Sequence, residues 1–272
     1  MSQFGMPPAN IIDGLRVPHI FTAESVRSAI QYQPKSDDLF LVTYPKCGTT
    51  WAQQILSLIF SQGIPEHSLG EGPFLELKGA QAVETIAATW IHQNSPPLQI
   101  GSMGDINFGD YFEHLLGWYE HRNDPNFLFL TYEEMKENPD TTVLKMASFI
   151  DNEKYAEPLR KDSEKLNSVL KYSSFQYMKE IANENSEDKP KSSEEQSSNS
   201  DHSEKTDASS QMGENEFKKG NAGKSISARL VRKGIVGDWR NHFSKEQSKR
   251  MDEKFTEKTK GTNIADLWIK CM

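Results

Sequence analysis

Cysteine is almost absent from this chain: Cys47 and Cys271 are the two in 272 residues. A disulfide framework and paired-cysteine metal spacing are therefore not available. A basic excess is missing too. The formal net charge of −8 argues against a general binder of nucleic acid, which needs cations to neutralise phosphates. No apolar run approaches the roughly 20 residues of a membrane span. The opening stretch MSQFGMPPANIIDG lacks the basic start and long apolar core of a signal peptide. These absences lead to the expectation of a cytoplasmic globular protein with neither membrane nor nucleic-acid partners.

Two apolar runs read as buried strands, DDLFLVTY (37–44) and PNFLFLTY (125–132). Each runs into a helical pattern. TTWAQQILSLIF (49–60) spaces Trp51, Ile55, Leu58 and Ile59 along one face, and PDTTVLKMASFI (139–150) starts at Pro139. QAVETIAATWIHQ (81–93) fits a helix, and GDYFEHLLGWYEHR (109–122) fits an amphipathic helix with Asp110 as its N-cap. Strands alternating with helices indicate an α/β class with a parallel sheet. From Asn183 the composition shifts. Residues 183–214 hold Ala208 and Met212 as their only apolar side chains, and residues 183–220 carry −5 of the −8 net charge. Such a segment buries too little surface to offset its ordering entropy. The expected organisation is one domain from 1–182 and 226–272, interrupted by a disordered acidic Ser-rich insert at 183–225.

TYPKCGTTWAQQ (43–54) is a small-residue turn between a strand and a helix. Such a turn aims several backbone N–H groups at one point, with the helix dipole behind them. Gly48 lets an anion approach the backbone, Lys46 adds a full charge, and Thr49 and Thr50 add hydroxyls. This is the physics of a phosphate cradle, although the Walker order of a P-loop kinase or NTPase is missing. The same residues also fit an ordinary strand-to-helix turn capped by a threonine. VRKGIVGDWRNHF (231–243) sets Arg232 and Lys233 before Gly234. The pair suits a terminal phosphate, but it also fits a solvated loop.

Taken together, TYPKCGTTW and RKGIVGDWRNHF resemble the cytosolic sulfotransferase family. GPFLEL (72–77), FLTYEEMKENP (129–139) and YSSFQYMK (172–179) extend the resemblance over residues 11–182 and 226–269. It implies a P-loop-like parallel sheet flanked by helices. It also implies transfer of a sulfuryl group from 3′-phosphoadenosine 5′-phosphosulfate (PAPS) to a hydroxyl or amine of a small molecule, without a metal and leaving adenosine 3′,5′-bisphosphate. Lys46 would stabilise the leaving phosphate oxygen, and Gly48, Thr49 and Thr50 would bind the 5′-phosphate. Trp51, Tyr132, Ser173 and Phe175 would enclose the adenine, and Arg232, Lys233 and Gly234 would hold the 3′-phosphate. Phe21, Phe74 and Tyr155 are candidate walls for the acceptor, or plain core.

The sequence also departs from this family. Its Lys-Thr-His-Leu-Pro motif, whose His is the general base, should follow SPPLQI (95–100), but the chain runs directly into GSMGDINFGDYFEH. The following strand, with an Arg and a Ser for the 3′-phosphate, is missing too. The sheet should therefore lack central strands and the activity should be impaired. The alternative is an inactive truncated or spliced product that at most binds the nucleotide. Among His19, His67, His92, His114, His121, His202 and His242, only His92 lies close in sequence to the lost motif. Cys47, at a helix start, is a candidate oxidisable thiol with lowered pKa, or a small filler. Arg240, Ser244, Lys245 and Lys249 depart from the family's dimer segment, which weighs against that dimer.

Overall fold

The computed structural model describes residues 9–66, 69, 74–75, 86–89, 108–187 and 231–268. The chain opens with an antiparallel hairpin, β1 (Ala9–Ile12) and β2 (Leu15–Pro18). Asp13 (φ 50°) and Gly14 (φ 85°) form its loop. A two-residue loop with both φ positive matches the right-handed strand twist, which is why Asp-Gly serves there. Arg27 of α1 (Ala23–Gln31) grips the Asp13 carboxylate through Nε (2.8 Å) and Nη2 (2.7 Å). Beneath the hairpin, Ile12, Leu15, Val17, Phe21, Val26 and Phe108 form a small separate core.

The strand β3 (Leu39–Val42) feeds the turn that opens α2 (Thr49–Phe60). As expected, it is a strand, although half-buried rather than buried. It pairs in parallel with β4 (Ile86–Thr89), Leu39 facing Ile86 and Val42 facing Thr89. The helix expected over 81–93 is thus overturned at 86–89, where a ladder with β3 satisfies the backbone instead. The rest of that stretch lies outside the described residues.

Helix α3 (Tyr111–Tyr119) starts where expected, with Asp110 accepting from the N–H groups of Phe112 (2.8 Å) and Glu113 (3.4 Å). The strand expected over 125–132 does not form. Residues 127–131 have no ladder partner among the described residues, and α4 (Tyr132–Glu137) begins at its end, capped by Thr131. Leu128 and Leu130 still pack, half-buried, against the main core, so the apolar run reports a core contact but neither full burial nor pairing. Then come α5 (Pro139–Asp151), a π turn (Asn152–Ala156), α6 (Glu157–Lys161), α7 (Ser163–Tyr172) and α8 (Phe175–Glu187). Helix α8 carries on past Asn183, the expected start of the insert. Residues 188–230 lie outside the described residues, and with them most of that proposed insert. Helix α9 (Lys245–Lys258) is closed by a capping box between Ser244 and Gln247.

The main core joins Ile55, Leu56, Leu58 and Ile59 of α2 to Val143, Met146 and Ala147 of α5, Leu159 of α6 and Val169 of α7. Leu39 and Leu41 of β3 pack on its edge, so the helices hold the strand in place.

Leu159 is fully buried (0 % exposed) and Ile64 is 70 % exposed. Leu159→Ala should lower the unfolding free energy by about 3 kcal/mol. Ile64→Ala should change it by no more than about 0.5 kcal/mol. Urea unfolding of both variants checks this, and equal losses would contradict the assignment of the core.

Candidate active site

The turn between β3 and α2 is built under backbone constraint. Lys46 (φ 71°) and Gly48 (φ 100°) both take positive φ. Gly48 can do so without strain; a non-glycine residue such as Lys46 rarely does. The Cys47 N–H donates to the Tyr44 carbonyl at 3.1 Å and closes the loop. Gly48 is also needed for space, since a Cβ there would lie 3.0 Å from Tyr132 Cδ2. Both demands explain a glycine at the helix start.

Of the two threonines, Thr49 is buried and its hydroxyl is paired with the Thr43 hydroxyl, a partner that sequence reasoning did not single out. Among the described residues the Thr50 hydroxyl has no such partner, which leaves it the better placed of the two to meet a ligand. The Tyr44 hydroxyl donates to the Gly109 carbonyl at 2.9 Å, which fastens the turn to the start of α3.

Trp51 follows within the first turn of α2. Its indole N–H donates to the Ser173 carbonyl at 2.9 Å, and Gln54 Nε2 donates to the Tyr172 carbonyl at 3.1 Å. Tyr132 meets the Trp51 ring edge-on with centroids 5.4 Å apart, and Lys136 Nζ stands 5.4 Å from that ring. Ser173 is buried and its hydroxyl donates to the Val169 carbonyl at 2.7 Å, so its side chain serves the helix end. Trp51, Tyr132, Ser173 and Phe175 thus belong to one neighbourhood.

The loop carrying Arg232, Lys233 and Gly234 arrives at the same place from the other end of the chain. Val231 is buried with Met178, Ile181 and Ala182 of α8, and Trp51 and Phe175 pack on that cluster. Lys179 Nζ donates to the Val231 carbonyl at 2.9 Å. Gly234 (φ 64°) lies so close to Phe175 that a Cβ would sit 2.5 Å from its Cδ2. Arg232 is also near enough to Lys46 for its charge to be felt. Partial shielding from water, and then that like charge, hold the Lys46 ammonium below the ordinary lysine range. An anion arriving between them would offset that repulsion.

The model for the sulfotransferase domain matches residues 36–102, 88–219 and 205–263. The chain belongs to the sulfotransferase family. It is 26 % identical to the amine sulfotransferase of Oryctolagus cuniculus, over 87 % of this chain and 85 % of that one. It is 28 % identical to sulfotransferase 2A1 of Rattus norvegicus, over 84 % and 86 %. Among solved structures it resembles mouse sulfotransferase SULT7A1 complexed with PAP, with a TM-score of 0.64 and 21 % identity over 97 % of this chain and 99 % of that one. The fold is therefore the P-loop-like α/β fold of sulfotransferases, here with a two-stranded parallel sheet among the described residues.

In this sulfotransferase His92 lies outside the described residues. His114 packs against Tyr44 with ring centroids 5.6 Å apart, and burial pushes its pKa down to about 4. It is neutral at pH 7 and stands beside the cradle. His242 contacts Asp238, and His121 stands beside Trp118 and Phe127. Phe21 belongs to the hairpin core and Tyr155 packs edge-on with Phe60 (5.0 Å), so both serve as core. Phe74 is half-buried. Lys245 and Lys249 lie on α9, Lys249 facing Glu253 at 3.8 Å, and the Arg240 guanidinium covers the Trp239 ring at 4.6 Å. Sequence reasoning misses Asp238, which contacts Arg232 and Lys233. An acid five residues beyond a basic pair is the available signal.

Of the two readings of Cys47, a low-pKa thiol and a small filler, the surroundings disfavour the first. Cys47 is exposed at the surface of the turn, yet crowding by its neighbours, and then the Glu133 carboxylate, push the thiol up to about 11. In a Cys271→Ala background, Cys47 should react with iodoacetamide at pH 8 at least about tenfold more slowly than free cysteine. The rate should go on climbing toward pH 11. A rate equal to free cysteine at pH 8 would contradict the shift.

Proposed function

We propose that this chain binds PAPS and transfers its sulfuryl group to a hydroxyl or amine of a small molecule in the cytoplasm, with activity weakened by the missing His motif. The observation that carries the reading is the convergence of two anion-binding elements from opposite ends of the sequence. Lys46 and Arg232 are mutually repelling neighbours, and both elements abut the aromatic group of Trp51, Tyr132 and Phe175. A nucleotide with a charged group at each end and a purine between would complement that arrangement.

The residues present suit such a ligand. Gly48 leaves room at the helix start, where backbone N–H groups and the Thr50 hydroxyl would receive the 5′-phosphate. Lys46 would stabilise the oxygen left behind when the S–O bond breaks, Trp51 would stack on the purine, and Arg232 and Lys233 would take the 3′-phosphate. Mouse SULT7A1, which shares this fold, is complexed with PAP, and that supports the same choice of nucleotide here.

One observation favours a second reading, a nucleotide binder without catalysis. The alignment with the rabbit amine sulfotransferase runs over 291 positions, more than the 272 residues of this chain. That relative therefore carries residues with no counterpart here, which agrees with loss of a block after SPPLQI.

Adenosine 3′,5′-bisphosphate at 100 times its Kd should stabilise the chain by about 2.7 kcal/mol in a melting experiment. Transfer of labelled sulfate should be detectable but depressed by about 10²–10⁴ against an intact family member, the usual contribution of a general base. Stabilisation without any transfer would establish the second reading. No stabilisation would reject both.

A further inference from the structure

Asp238 sits beneath the basic loop in an arrangement that the phosphate contacts alone do not require. It opens a short 3₁₀ turn (Asp238–Asn241) after Gly237 (φ 78°) and is only 6 % exposed. Four donors converge on its carboxylate. Lys233 Nζ (2.9 Å) and Asn241 Nδ2 (3.1 Å) reach Oδ1; Arg232 Nη2 (2.6 Å) and His242 Nε2 (3.1 Å) reach Oδ2. The Arg232 and Lys233 side chains are 58 % and 44 % exposed. The cations thus face solvent while the carboxylate lies behind them. Asn241 ends its own turn and His242 caps it, and both hold the carboxylate there.

We infer that Asp238 is a positioning residue for the 3′-phosphate clasp. It fixes the two long basic side chains by one oxygen each, so that they are set before the ligand arrives. The inference rests on the reading of this loop as the 3′-phosphate site. Arg and Lys side chains lose considerable rotamer freedom when they engage an anion. Tethering them to a buried carboxylate moves that loss into folding. The cluster still presents net positive charge, with two permanent cations against one anion. Asp238 is therefore not a competitor awaiting displacement. It is buried, and its own turn and the cap residue that follows supply two of its four partners.

Asp238→Asn keeps the shape and removes the charge. The readout is the ratio of affinities for adenosine 3′,5′-bisphosphate and adenosine 5′-phosphate, measured by calorimetry. That ratio isolates the 3′-phosphate, whereas a general loss of structure would weaken both nucleotides alike. The wild-type chain should prefer the bisphosphate. The variant should lose about tenfold of that preference and keep its affinity for the monophosphate within about twofold. A preference that is unchanged or increased in the variant overturns the inference and leaves the site intact. A wild-type chain without preference overturns the reading of the loop itself. Should Asp238→Asn fail to fold, Asn241→Ala, which unseats the same carboxylate at Oδ1, must show the same selective loss to a lesser extent; an unchanged ratio there overturns the inference equally.

Discussion

Trp51 donates its indole N–H to the Ser173 carbonyl at 2.9 Å, and its ring packs on two cores at once. One core is the bundle of α2, α5, α6 and α7; the other joins α8 to the C-terminal loop through Val231. The side chain in the first turn of α2 therefore ties the 43–50 turn to α8, against which the loop with Arg232 and Lys233 packs. Gln54 repeats the tie further along α2, at the Tyr172 carbonyl. Buried hydrogen bonds of this kind are costly to break because each leaves an unpaired polar group behind. From α8 the register passes through Phe175 to Gly234, where no Cβ would fit. The cradle and the clasp are thus held at a fixed separation by packing rather than by their own charges, which repel.

That arrangement explains which residues must be small and which must be aromatic. Gly48 faces Tyr132, and Gly234 faces Phe175. At each point an aromatic edge meets bare backbone that takes positive φ, so the glycine is required by conformation and by space together. The acid under the clasp answers a different demand. Lys233 and Arg232 share one carboxylate and Arg232 is felt at Lys46, so Asp238 offsets part of that local positive charge.

Much of the site is legible in the sequence because it lies in local patterns. The strand, turn and helix over 39–60 follow from an apolar run, a glycine and a helical repeat. The Asp110 cap and the Pro139 start follow from backbone chemistry confined to one turn. The failures concern partners distant in sequence. Residues 127–131 look like a strand, yet a strand is a property of a pair, and among the described residues no neighbour supplies the ladder. Residues 86–89 read as helix because their alternation is weak, and the parallel partner that decides them is β3. Cys47 misleads for a related reason. Its position at a helix start argues for a lowered pKa, but crowding within the turn and the Glu133 carboxylate push the exposed thiol the other way. Asp238 escapes notice because an acid within a basic loop looks solvated until its burial is known.

The central claim is that segments 44–50 and 231–237, far apart in sequence, form one nucleotide site. Amide hydrogen exchange across a titration with adenosine 3′,5′-bisphosphate tests it most directly. Both segments should gain protection together, with a single midpoint, while the hairpin at 9–18 stays unchanged. Protection confined to one segment, or two separate midpoints, would contradict the claim.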